Sequence, residues 1–373
     1  MPTSAASPFI DHSVSRRGVL AASLAAATAM AGLARGGETA VRRRGIRLGF
    51  DNFAVRALKW NARQLVDHAE SLACDSVFIT DFGPFDGKTD DATLAALRAY
   101  AADKGVGIEL GSWSICPTSK TFKPEFGTPA EHLATGIRMA KTLGSRAFRV
   151  ILGNHEDRLS PGGITARIAD TVAVLQGVKP QALDAGVKIA VENHAGDMQA
   201  AELRSLVERA GPDFVGVNFD SGNACWTLED PVRALETLAP HVVTTSLRDA
   251  MVWPTPAGVA VQWTAMGEGC TDLPAFFDLF EKACPGVTVH IETISGFART
   301  LPIYDRGFWK AFPDARADEL AAFMAVAAKG HAIEPFRPPP DSDRAAAEQA
   351  YQLDELARSI TFCRDVLGLG LRG

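Results

Sequence analysis

The sequence predicts an α/β fold, a closed (β/α)8 barrel with a C-terminal helical extension, and three observations carry that reading. From residue 46 to about 330, short apolar runs alternate with amphipathic segments, the pattern of repeated strand-helix units around a parallel sheet. Eight such runs fall within one stretch of roughly barrel length. No Gly-x-Gly-x-x-Gly follows any of them, which weighs against an open dinucleotide-binding sheet.

The elements follow in chain order. Ser15-Arg16-Arg17-Gly18-Val19-Leu20 opens an uncharged, Ala-rich stretch through Ala34. It resembles a twin-arginine export signal, too short and too weakly apolar for a membrane span, so residues 1–40 are expected to be signal and linker. That implies passage through the twin-arginine export machinery, a periplasmic or secreted location and no stable membrane anchor. The eight strands are expected at 46–51, 75–80, 106–111, 146–152, 187–193, 214–220, 242–247 and 287–293, within a barrel spanning 41–333. Thr128-Pro129-Ala130-Glu131 reads as a capping box with proline at the first helical position. The helix it starts shows Leu133, Ile137, Ala140 and Leu143 on one face before Gly144 ends it. Between the last two strands, Met251 to Gly269 is extra, and its Val259-Ala260-Val261-Gln262-Trp263 run suits a short hairpin over the barrel mouth. Glu334 to Pro340 is a stiff proline-rich connector, and 334–373 ends in a helix expected to pack back on the barrel.

Composition narrows the function. With 47% hydrophobic residues and 22% charged, the chain is neither disordered nor fibrous. Its net charge of −6 and lack of a basic run exclude a nucleic-acid surface. The six cysteines form no C-x-x-C pair, so they are expected mostly as small core residues.

Barrel chemistry sits at the carboxyl ends of the strands. There the fifth run ends Val191-Glu192-Asn193-His194, the sixth Val217-Asn218-Phe219-Asp220, and the eighth His290-Ile291-Glu292. Alternation puts Glu192 with His194, Asn218 with Asp220, and His290 with Glu292 on the inward face. Three converging carboxylates repel unless a cation sits among them, and a divalent metal is the simplest one. Oxygen donors favour Mn2+ or Mg2+, with Co2+ or Zn2+ as alternatives.

These residues carry a family resemblance. Ala190-Val191-Glu192-Asn193-His194, Asn218-Phe219-Asp220-Ser221-Gly222-Asn223, Leu247-Arg248-Asp249, Met266-Gly267-Glu268-Gly269 and Ile291-Glu292 resemble the sugar phosphate isomerase/epimerase superfamily of xylose-isomerase-like barrels. The resemblance implies that Glu192, Asp220 and Glu292 are metal ligands and that His194 lies beside the substrate. Where many relatives have a metal-binding His-x-Lys-Asp, this chain has Ser246-Leu247-Arg248-Asp249. A fourth donor is then expected from Gln262, with His290 or water as the alternatives. Arg248 would bind a substrate oxygen or balance the carboxylates, Trp113 would stack on a sugar ring, and Asn223 belongs to the substrate set. Glu109 is a candidate second layer beneath them.

The expected function is a metal-dependent sugar or keto-sugar isomerase or epimerase, with Glu192 and Glu292 moving a proton next to a carbonyl through an enediolate. A lyase or hydratase on keto-glycosides or inosose-like substrates, and a sugar-binding barrel without chemistry, are the alternatives. An oligomer is compatible with this sequence.

Overall fold

The computed structural model describes residues 41–294 and 296–372, so the export signal read at residues 1–40 lies outside the described residues. All eight expected strands form. They are β1 (Leu48–Asp51), β2 (Ser76–Ile79), β3 (Gly107–Ser114), β4 (Ala147–Ile151), β5 (Lys188–Glu192), β6 (Val215–Phe219), β7 (Val242–Thr245) and β10 (Val289–Ile291). Between β7 and β10 come β8 (Asp249–Thr255) and β9 (Gly258–Thr264), and β11 (Ala298–Leu301) follows.

The eight strands run parallel in the order β10-β1-β2-β3-β4-β5-β6-β7. A parallel bridge between Leu247 and Ile291 joins the two ends, with the Glu292 amide donating to the Leu247 carbonyl at 2.8 Å. The sheet therefore closes on itself, as a parallel sheet with helices on its outer face can. Val191, Val217, Phe219 and Ile291 point outward into the core between sheet and helices. Their strand neighbours turn inward, as period-2 alternation requires.

The helices are set by the local signals read above. In α3 (Pro129–Leu143; α1 is Ala62–Ser71 and α2 Asp91–Asp103), the Glu131 carboxylate accepts from the Thr128 amide at 2.8 Å, and Gly144 ends the helix at φ 81°. Its expected apolar face is buried, and Gly136 on it lies so close to Phe148 that a Cβ would sit 2.0 Å from the ring. The next helices are α4 (Gly163–Gly177), α5 (Lys179–Ala185), α6 (Ala200–Ala210), α7 (Ser221–Trp226), α8 (Pro231–Leu238), α9 (Leu273–Ala283), α10 (Ala317–Ala327) and α11 (Arg344–Asp365).

Two segments shape the mouth. The expected hairpin is β8 and β9, but it gains a third antiparallel strand, β11, in the order β11-β9-β8. Ala298-Arg299-Thr300-Leu301 has no alternating apolar signature, so only pairing with Val259 to Gln262 reveals it. The C-terminal helix α11 docks on the turn after β1: Gln352 Oε1 accepts from the Ala57 amide at 2.8 Å, and Leu356, Ile360 and Cys363 are buried. Phe336 of the connector stacks on Tyr351 with ring centroids 3.9 Å apart. All six cysteines are free, and all but the half-buried Cys270 are buried. Among the described residues no helix is long and apolar enough to cross a membrane.

Candidate active site

Glu192 ends β5, Asp220 follows β6 as the N-cap of α7, and Glu292 follows β10. Each is almost wholly buried, with 0–5% of its surface exposed, so their charges must be matched inside the barrel. The chain supplies the matching charges itself. Arg149 Nε, on β4, donates to Glu192 Oε2 at 2.5 Å, and its Nη1 reaches the Ser112 carbonyl at 2.8 Å. Arg248 Nη2 is paired with both Asp220 Oδ2 and Glu292 Oε2.

Amides knit the carboxylates together. Asn223 Nδ2 donates to Asp220 Oδ2 at 2.7 Å and Glu192 Oε1 at 3.3 Å, and Asn218 Nδ2 donates to Glu192 Oε2 at 2.8 Å. Asn193 Nδ2 donates to the Asp220 carbonyl while its oxygen accepts from the Asp220 amide. Asn223, expected to face substrate, is thus buried within the carboxylate network.

Asp51, at the end of β1, also belongs here. It accepts from the Ser246 hydroxyl at 3.1 Å and the Thr80 hydroxyl at 2.9 Å. Asp51 and Arg149 escaped the sequence reading, although both carried a signal. Asp51 closes an apolar run just as Glu192 does, and Arg149 is a lone charge inside Ala-Phe-Arg-Val-Ile.

Four carboxyl groups, Asp51, Glu192, Asp220 and Glu292, thus face two guanidinium groups, and protons make up part of the difference. Burial pushes Glu292 well above the usual carboxylate range, Asp220 to about 7 and Asp51 to about 6. Burial acts most strongly on Glu192 too, in the same sense, but the charge and hydrogen bond of Arg149 together with His194 and the Arg248 charge hold Glu192 below its ordinary value. The pKa values of two carboxyl groups at one mouth are therefore driven apart, Glu192 down and Glu292 up.

His194 Nδ1 lies 2.6 Å from the Gly153 carbonyl, so that nitrogen carries the hydrogen and Nε2 is the acceptor. Burial lowers its pKa to about 4, so the ring is neutral. Its neighbour is the half-buried Trp113, edge to face at 5.7 Å, whose indole N–H donates to the Thr121 carbonyl. These two side chains form one wall at the end of β3 and β5.

Other expected residues stand elsewhere. Trp263 lies against Arg248, its ring centroid 4.2 Å from the guanidinium carbon, so alternation along β9 turns Gln262 to the opposite face. Gln262 is buried there with Oε1 unpaired, opposite Met251 and Ala298. His290 lies deeper, its Nε2 3.0 Å from the Ser76 hydroxyl. Glu109 sits nearer the amino-terminal end of the barrel, paired with the Thr244 hydroxyl, because it lies early in β3. It is not a second layer of the mouth.

Comparison with known proteins agrees with this architecture. Over 193 residues, 50% of this chain and 60% of the relative, it is 23% identical to a 3-oxo-isoapionate decarboxylase of Pectobacterium atrosepticum. The chain spans between 37% and 60% of the length of the curated relatives it matches. Among solved structures, a D-psicose 3-epimerase with D-fructose shares its fold at TM-score 0.57 and 14% identity, over 87% of this chain and all of the other. A zinc-bound IolI protein does so at TM-score 0.54 and 16% identity, over 77% of this chain and all of the other. The model of the xylose isomerase-like TIM barrel family matches residues 66–308, most of the barrel described above, and the chain belongs to that family.

Proposed function

We propose that this protein is an enzyme that moves a proton on the carbon next to the carbonyl of a sugar or keto-sugar. The observation that carries the reading is the placement of two carboxyl groups at the mouth, Glu192 at the end of β5 against Arg149 and Glu292 after β10 against Arg248, with the first pushed below and the second above its ordinary pKa. Glu192 takes the proton as the C–H bond breaks. The electron pair becomes the C=C bond of an enediol, and the carbonyl oxygen becomes an oxyanion. Glu292 returns a proton, and its placement sets epimerisation or isomerisation. Trp113 and His194 offer an apolar face and a neutral acceptor for the sugar ring and a hydroxyl. The epimerase fold neighbour supports the substrate class.

A lyase outcome, in which a leaving group departs from the same enediolate, is the second reading, and the similarity to a decarboxylase favours keeping it. One experiment tests both. In D2O, a panel of keto-sugars should include one that takes up deuterium next to its carbonyl, and the same carbon deuterated should slow single-turnover conversion. Conversion of a sugar with neither signature rejects proton abstraction; loss of a fragment in place of exchange selects the lyase.

The expected divalent metal meets a different site. An ion would need Glu192, Asp220 and Glu292 to converge on one point with a neutral donor. Here Asp220 and Glu292 are paired with Arg248, Glu192 with Arg149, and the Ser246 hydroxyl with Asp51. Among the described residues no group of three or more His, Cys, Asp or Glu is placed to hold a metal. These residues do not fit the ion, and no step above uses one.

Export through the twin-arginine route is part of the proposal and rests on Arg16-Arg17 before an uncharged stretch. Arg16→Lys with Arg17→Lys should leave the protein in the cytoplasm on fractionation. Periplasmic delivery of that double variant overturns the export reading.

A further inference from the structure

Arg248 is held from every side yet leaves donors unspent. Its amide donates to the Ser221 hydroxyl at 3.1 Å, and that hydroxyl donates to the Arg248 carbonyl at 2.5 Å. Its stem crosses Gly222 so closely that a Cβ there would lie 2.4 Å from Arg248 Cγ. Its guanidinium plane rests on Trp263, which is stacked on Trp226 at 4.2 Å and donates from Nε1 to the Gly222 carbonyl at 2.9 Å. Nη2 serves Asp220 and Glu292, while Nε and Nη1 are buried with no partner. A guanidinium has five donors in a fixed fork, and buried donors in a native protein are normally matched. Two unmatched nitrogens on a clamped cation, carrying three of its five N–H donors between the acid pair and an aromatic wall, point to an oxygen ligand.

We infer that the Arg248 guanidinium is the resident cation of this site, holding Asp220 and Glu292 through Nη2 and offering its unpaired Nη1 to the substrate oxygen that becomes negative on proton loss. The enzyme then needs no divalent ion. A fixed cationic N–H donor at a developing oxyanion in a dry site is an efficient electrostatic catalyst, and arginine keeps its charge there. The ligand class is an α-hydroxy carbonyl compound, whose carbonyl oxygen gathers the negative charge as the neighbouring C–H proton leaves. This assignment rests on the proton-transfer reading above, but its test does not.

The test is calorimetric titration of EDTA-dialysed full-length protein with Mn2+ and, separately, Zn2+, alongside the Arg248→Ala variant. Wild type should bind neither ion, because its carboxylates are already paired. Arg248→Ala, folded by circular dichroism, should bind about one ion per chain, because removing the guanidinium leaves carboxylates that favour a hard cation. Stoichiometric binding by wild type overturns the inference, as does a folded Arg248→Ala that binds no ion. If Arg248→Ala does not fold, wild type alone decides. Where a keto-sugar undergoing deuterium exchange is in hand, EDTA should leave its rate within about twofold; loss of exchange on chelation, restored by Mn2+, also overturns it. Failure to find any exchanging sugar counts against the proposed function, while the titration still judges Arg248.

Discussion

Glu192→Gln should keep the barrel intact and lose about a hundredfold or more in turnover, the usual scale for a positioned base. The amide has the shape of the carboxylate, and its oxygen in the Oε2 position still accepts from Arg149 Nε and Asn218, so only the long 3.3 Å bond from Asn223 to Oε1 is lost. What disappears is the carboxylate at the mouth whose pKa its surroundings hold below the ordinary value. The comparison is with Glu292→Gln, which removes the returning acid. In D2O the Glu192 variant should lose exchange into substrate altogether. The Glu292 variant should still lose the proton to Glu192 and should exchange more readily than it converts. Glu192→Gln retaining wild-type turnover with a folded spectrum would remove Glu192 from the chemistry.

Arg149→Met should be the most destabilising single change at the site, by about 3–5 kcal/mol, because it strips the partner from a buried carboxylate. Arg149 and Glu192 are both nearly inaccessible, so water cannot take over the lost charge. Urea unfolding should show a lower midpoint with an unchanged slope. The same variant should move the pH profile in a defined direction. Glu192 works ionised, so activity falls as pH drops through its pKa. Arg149 holds that pKa down, so without it the pKa rises and the acid limb of kcat/KM moves to higher pH. A variant with wild-type stability and an unmoved acid limb would show that the pair does neither job.

The strand ends were legible for a physical reason. A charged side chain closing an apolar run has to leave the core at the barrel rim, and alternation fixes which neighbours share its face. That rule found Glu192, Asp220 and Glu292, and applied evenly it also reaches Asp51. It does not orient Gln262, because a polar residue in a hairpin can face either side until its pairing partners are known. It does not reveal β11 either, where each face carries one polar and one apolar residue, Ala298 with Thr300 and Arg299 with Leu301.

By itself, the sequence determined the number and order of the barrel strands, the start and stop of α3, and the convergence of three carboxylates on one mouth that therefore needs a cation. Each of these follows from local periodicity, capping or alternation, which neighbouring residues express without distant help. Only the tertiary structure showed which side chains pair with these carboxylates. Arg149 lies 43 positions from Glu192, and Arg248 lies 28 from Asp220 and 44 from Glu292, separations over which no periodicity connects a charge to its partner. Closure of the sheet brings these strand ends around one axis, and in that dry space a guanidinium and a carboxylate must find each other, because neither can remain buried alone.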